Sequence, residues 1–134
     1  MKRNISNAQS VHEANRIYKL TAGIFLVCGI VSGAFGAHAL ESVLAPESLA
    51  AWRTGGHYLM AMGCAILGAS AHKNSDGLGW VSLGTAMFSF SIFGLILVKV
   101  WGGSAAILGP VTPIGGALMI GGWLRWMWSM WRDK

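Results

Sequence analysis

Four long stretches without a single Asp, Glu, Lys or Arg constrain this chain more than any other feature. The gap between Lys19 and Glu41 holds 21 residues, that between Arg53 and Lys73 holds 19, that between Asp76 and Lys99 holds 22, and that between Lys99 and Arg125 holds 25. Together they take up 87 of the 134 residues. A helix needs about 20 apolar residues to cross roughly 30 Å of hydrocarbon. A soluble helix bundle would instead carry charges every few residues on its outward faces. Only 11% of the chain is charged, against about 25% in an ordinary soluble domain. That balance excludes a disordered tail, a nucleic-acid-binding domain and most soluble enzymes.

The expected architecture is all-α: an integral membrane four-helix bundle in a single four-span domain over 1–134. The spans read as 18–40, 55–72, 79–101 and 113–131, after a surface helix at about 10–17. Ser10-Val11-His12-Glu13 has capping-box form and predicts the start of that first helix. Pro46-Glu47 has the form of a first helical turn, which would lengthen the second span, and Gly55-Gly56 then predicts a break or kink. Asn74-Ser75-Asp76-Gly77 is a turn sequence. Thr112 is placed to cap the fourth span, with Pro113 at its first position. The segment 102–111 is apolar, but Gly102, Gly103, Gly109 and Pro110 make it a loop at the membrane surface rather than a fifth span.

Lys and Arg set the expected orientation. Lys2, Arg3, Arg16, Lys19, Lys73, Arg125, Arg132 and Lys134 fall on one side, and Arg53 and Lys99 on the other. The positive-inside rule puts both termini in the cytoplasm, or in the matrix if the membrane is mitochondrial. The expected location is multi-pass, in a bacterial cytoplasmic (inner) membrane or, in a eukaryote, the mitochondrial inner membrane. Trp52, Trp80 and Trp101 at span ends, and Trp123, Trp126, Trp128 and Trp131 at the end of span four, fit interfacial indoles. The net charge of +5 reads as topology and contact with anionic headgroups, not as nucleic-acid binding. Ala37-His38-Ala39 resembles a cleavage site, but the polar leader before it suits an uncleaved first span.

Small residues suggest how the helices meet. Span one offers Gly29, Gly33 and Gly36 on one face, span two Ala61, Ala65 and Gly68, span three Ser82, Thr85 and Ser89, and span four Gly115, Gly116, Gly121 and Gly122. Small residues let membrane helices approach closely, where packing drives association. On this reading, replacing Gly33 with Leu would overpack a helix contact. The hydroxyl stripe of span three packs a bundle, or lines a polar path. Cys28 and Cys64 lie in no metal-ligand or redox spacing and read as buried free thiols.

Little chemistry is visible. No carboxylate lies within an expected span, and phosphate loops, zinc motifs and nucleophile elbows are absent from the sequence. No cofactor, metal or catalytic residue is expected. His38, Glu41, Arg53, His57, Tyr58, Lys99 and Thr112 gather on the outer side, where the start of span four adds a positive helix-dipole end. His38, His57, Tyr58, Thr112, Gly115 and Gly116 form a candidate rim for a lipid headgroup, a quinone carbonyl or a small anion. His57 shares a helical face with Ala61, Ala65 and Gly68 and is expected to point into the bundle. Neither His38 nor His57 is placed at mid-span, where haem ligands would lie.

Several strings together resemble one family. Gly33-Ala34-Phe35-Gly36-Ala37-His38-Ala39-Leu40, then Trp52, Thr54-Gly55 and Tyr58, then Leu83-Gly84-Thr85-Ala86-Met87-Phe88-Ser89, then Thr112-Pro113-Ile114-Gly115-Gly116 are similar in order and spacing to the YgdD-like proteins. These are also called the transmembrane protein 256 family, a domain of unknown function. The resemblance covers about 20–125 and implies a small four-helix protein of bacterial inner membranes and mitochondria, with no established activity. The chain departs from that pattern where Met62 stands in place of a family histidine, and where Phe90 and Phe93 stand in place of a small residue and a tyrosine. That loss favours a non-enzymatic, structural or accessory subunit that packs against other membrane proteins or copies of itself. The alternative is a binder or carrier of a small lipophilic or anionic ligand at the outer rim.

Overall fold

A computed structural model describes residues 2–72, 74–104 and 106–132, without the side chains of 2–12, 14 and 106. It contains four α-helices and no strand among those residues: α1 Lys2–His38, α2 Pro46–Ala69, α3 Leu78–Val100 and α4 Val111–Arg132, with a short 3-10 turn at Ala106–Leu108. The expected all-α class holds. Two helical segments, Asn15–His38 and Leu78–Val100, are long and apolar enough to cross a membrane.

Several boundaries differ from the sequence reading. α1 is continuous from Lys2, so Ser10 does not start a helix, and the segment 10–17 and the first span are one rod. α2 begins at Pro46 and runs through Gly55 and Gly56 without interruption. Those two glycines serve close approach rather than a break. A Cβ on Gly55 would lie 2.7 Å from the Phe93 ring, and one on Gly56 2.5 Å from the Ser32 hydroxyl. α4 begins at Val111, so Thr112 lies inside the helix rather than capping it. Lys73 and Lys134, which entered the charge count, lie outside the described residues.

Successive helices run antiparallel. On α1, the buried residues Ala22, Phe25, Gly29, Ser32 and Gly36 alternate spacings of three and four, the period of a coiled-coil seam. They face α2: Gly63 lies over Ala22 and Leu26, Gly56 over Ser32, and Trp52 over Gly36. The Trp52 indole donates to the Ser32 carbonyl at 2.8 Å. Trp52 is therefore a buried anchor and not the interfacial indole expected from sequence. α2 meets α3 through Trp52 on Phe93, ring centroids 4.4 Å apart, and Tyr58 on Phe88 at 4.6 Å.

The α3–α4 contact is backbone on backbone. Added Cβ atoms at Gly84 and Gly115 would each lie 2.6–2.8 Å from backbone atoms of the facing helix, and Gly122 is equally close to Val81 N and Gly77 O. Gly77 and Gly84 are seven residues apart, as are Gly115 and Gly122, so one heptad brings each pair into register. Gly77 also needs its missing side chain for conformation, at φ 88° just before α3. Near the start of α4, the hydroxyls of Ser91 and Thr112 lie 2.7 Å apart. Ser91 donates its single proton to the Phe88 carbonyl at 3.0 Å, so Thr112 is the donor in the pair.

The four helices pack in chain order around a shared core, onto which Trp123 of α4 also packs. Among the described residues, α1 and α4 make no close backbone approach, and α3 is the hub that meets α2, α4 and, lightly, α1. Tyr18 Oη sits 3.4 Å from where a Gly79 Cβ would be, so α1 leans on α3 at the end bearing Tyr18. Toward His38 the two helices leave a cleft of about 520 Å3 walled by Phe35, Trp52, Phe90, Phe93 and Leu97.

Candidate functional site

Side-chain placement divides the sequence-derived candidates sharply. Thr85 and Ser89 are wholly buried and Ser82 is half-buried. Thr85 donates back to the Val81 carbonyl at 2.7 Å. The Ser82 and Ser89 hydroxyls are buried without a hydrogen-bond partner among the described residues. The stripe lies along the helix that meets α2 and α4.

Other small residues look away from the protein. A Cβ on Gly33 or Gly68 would meet nothing within 4 Å. Ala61 is exposed and Ala65 half-buried. The α2 residues that face neighbours include Trp52, Gly55, Gly56, Leu59, Gly63 and Ile66. The expected faces Gly29–Gly33–Gly36 and Ala61–Ala65–Gly68 are thus corrected to Gly29–Ser32–Gly36 and Gly56–Leu59–Gly63. The seam includes large residues such as Phe25 and Leu59, which a search for small residues passes over. Gly116 lies at the edge of its contact, where an added Cβ would be 3.9 Å from the Phe88 ring, and one on Gly121 would be 3.7 Å from Trp80. Cys64 is exposed and Cys28 half-buried, so neither is the buried thiol expected.

The proposed rim does not assemble as one site. His38 ends α1, exposed, and Thr112 is tied to Ser91 on the far side of α3. Tyr58 is 40% exposed and covers one face of Phe88, whose backbone lies against Gly115. Phe88 therefore stands between Tyr58 and Gly115, filling the space a shared ligand would need.

His57 is the larger correction. It does not point into the protein; it is exposed, like its helical neighbours Ala61 and Gly68. Because α2 starts at Pro46, His57 lies near the middle of that 24-residue helix rather than at its start. At 1.5 Å per residue it sits about 16 Å below the first residue of a rod about 36 Å long. Its neighbours are Arg53 one turn up, and Gly29, Ser32 and Gly33 of α1 across a cleft of about 100 Å3. Arg53 reaches Glu41 in the α1–α2 turn at 3.8 Å, both side chains more than half exposed. The His57 side chain makes no hydrogen bond among the described residues.

Met62, where the resemblance implies a histidine, accepts at its sulfur from the Trp123 indole at 3.4 Å. Phe93, at the family-tyrosine position, packs on Trp52. Trp52 and Met62 are ten residues apart on α2, about 15 Å along the axis. The two departures thus lie in separate parts of the fold.

Residues 32–116 match a family described as a protein of unknown function, DUF423. A UPF0382 membrane protein of Staphylococcus haemolyticus is 32% identical over 81% of this chain and 90% of its own length. The chain belongs to this family. A UPF0382 membrane protein of Schizosaccharomyces pombe is 38% identical over 68% of this chain and 81% of its own length. One from Bacillus subtilis is 32% identical over 75% of this chain and 90% of its own length. The matched region contains every motif that carries the resemblance from Gly33 to Gly116. This is a membrane protein of a small uncharacterised family found in bacteria and yeast. No solved structure matches it.

Among the described residues, no group of three or more His, Cys, Asp or Glu side chains could hold a metal ion. No Asp, Glu, His, Lys or Arg side chain among them is buried.

Proposed function

We propose that this chain is a four-span accessory subunit that packs against another membrane protein through the outward face of α1 and α2. It performs no catalysis, and its termini lie on the cytoplasmic side of a bacterial inner membrane, or the matrix side in mitochondria. The helix lengths support four crossings: α2 and α4 have 24 and 22 residues, about 36 and 33 Å. The Lys/Arg bias supports the orientation.

His57 carries the reading. In a four-span arrangement it stands at mid-membrane, exposed, with no partner of its own. Ionisable residues at that depth are expensive against lipid and usually face protein or a water-filled cavity. Elsewhere the exposed surface is what lipid covers well: Ile24, Val27, Ile30, Leu83, Ile120 and Leu124 are all more than half exposed. Gly33, with open space above it, lets another backbone come close beside His57. A second reading is favoured by the cleft itself: the polar head of a lipophilic ligand such as a quinone could accept from His57 beside Ser32.

Gentle detergent extraction at native expression separates the two. The accessory reading expects migration in native gels well above a 14.2 kDa chain in its micelle, with defined co-purifying chains. A monodisperse single chain that carries a small molecule, and loses it on His57→Leu, would establish the ligand reading instead.

A further inference from the structure

Two opposite charges share a cleft at the other side of α2. The first turn of α2 contributes Glu47 and Ser48, the last turn of α3 contributes Lys99, and the chain after α3 contributes Gly103 and Ser104. The cleft holds about 470 Å3, and its floor is apolar: Ala51, Leu95 and Ile96. Glu47 and Lys99 are both exposed, and they do not pair with each other. Each is favourably placed against its own helix dipole, the carboxylate at an N-terminus and the ammonium at a C-terminus. That explains each charge alone but not their presence on the walls of one cleft. The hydroxyls of Ser48 and Ser104 are also without partners among the described residues.

We infer that this cleft holds the headgroup of a zwitterionic phospholipid bearing a primary ammonium. Lys99 takes the phosphate and Glu47 accepts from the ammonium. Ser48 and Ser104 donate to phosphate or glycerol oxygens, and the acyl chains start down over Ala51, Leu95 and Ile96. The assignment rests on the four-span reading, which places the Pro46 end of α2 and the Val100 end of α3 at the headgroup level. Charge selects the guest: an anionic headgroup satisfies Lys99 but meets repulsion from Glu47. A choline headgroup carries both charges but has no N–H to give the carboxylate. The apolar floor selects a lipid over a soluble zwitterion, since it would otherwise remain wet.

Native mass spectrometry of the full chain in detergent tests this, with phosphatidylethanolamine, phosphatidylcholine and phosphatidylglycerol supplied in equal amounts. Phosphatidylethanolamine should be retained preferentially, by roughly fivefold, the effect of about 1 kcal/mol expected for an exposed charge contact. Glu47→Gln should abolish the preference over phosphatidylglycerol, and Lys99→Gln should lower retention of phosphatidylethanolamine. Both side chains are exposed, so a thermal melt close to that of the parent protein should accompany each change. Equal retention of the three lipids, or a preference that survives both substitutions, overturns the assignment. Displacement of the lipid by free phosphoethanolamine at comparable concentration would also overturn it, in favour of a soluble zwitterion. Cysteine labelling at Ser48 and Ser75 tests the four-span reading separately. Labelling of both from one side would remove the membrane placement, whereas opposite sides with no lipid preference would refute this proposal alone.

Discussion

Replacing Gly84 with alanine is the sharpest test of how the helices are held together. The new Cβ would lie 2.6 Å from the Gly115 carbonyl oxygen, 2.7 Å from Met119 N and 3.0 Å from Leu118 Cβ. Two of those neighbours are backbone atoms, which no rotamer change can move aside. Ordinary contact begins near 3.4 Å. α3 and α4 must therefore separate by about 0.8 Å, which also loosens the Gly77–Gly122 pair one heptad away. Overpacking that forces backbone shifts costs about 1–3 kcal/mol, and a backbone-on-backbone site belongs at the upper end. Alanine returns about 1 kcal/mol through its better helix propensity. The net loss is then about 2 kcal/mol, or roughly 8 °C in melting temperature for a chain of this size. Gly33→Ala is the matched control: nothing lies within 4 Å of its Cβ, so only the propensity gain remains and the protein should be unchanged or slightly stabilised. Tryptophan fluorescence during heating in detergent reads both. Should Gly84→Ala melt with the parent while Gly33→Ala falls, the α3–α4 contact described here is wrong.

Thr112→Val removes the donor to Ser91 while keeping the side-chain shape, and should cost about 0.6 kcal/mol, the average for a hydroxyl bond between membrane helices. A melting shift beyond about 8 °C would mean the pair does more than tie two helices. Trp52→Phe deletes the indole donor to the Ser32 carbonyl and should cost about 1 kcal/mol from the hydrogen bond, with further loss from the Phe93 ring contact. An unchanged melt would show that Trp52 sits at the lipid interface, as its place in the sequence first suggests.

The helices themselves were legible because charge and glycine punctuation mark them. The all-α class, the turn at 74–77 and the loop after α3 follow from residues that lipid or a helix interior tolerates poorly. Which face of each helix turns inward was far less legible. In a soluble helix the outward face is polar, and the period of the apolar residues points at the core. Here Ile24 and Val27, both exposed, are as apolar as the buried Phe25, so that period is nearly silent. Small residues are the remaining guide, and they do not separate the faces: Gly29 and Gly33 lie one turn apart, yet a Cβ on the first would meet Met60 and one on the second nothing within 4 Å. The seam is visible in hindsight as the alternating spacing of Ala22, Phe25, Gly29, Ser32 and Gly36. His57 reads as a span end because the charge gap begins after Arg53, whereas the helix begins at Pro46 and carries Arg53 within it. Gly84 and Gly115 could have been paired from their seven-residue offsets to Gly77 and Gly122.

The most direct test of the outward polar face is photo-crosslinking in native membranes, with a photoreactive side chain placed at His57 and, in a second protein, at Ile120, which is 64% exposed on α4. Position 57 should give a discrete protein adduct of defined mass, and position 120 only lipid adducts. Lipid adducts alone from both positions would contradict this, because His57 would then face the bilayer and the proposed contact surface would not exist.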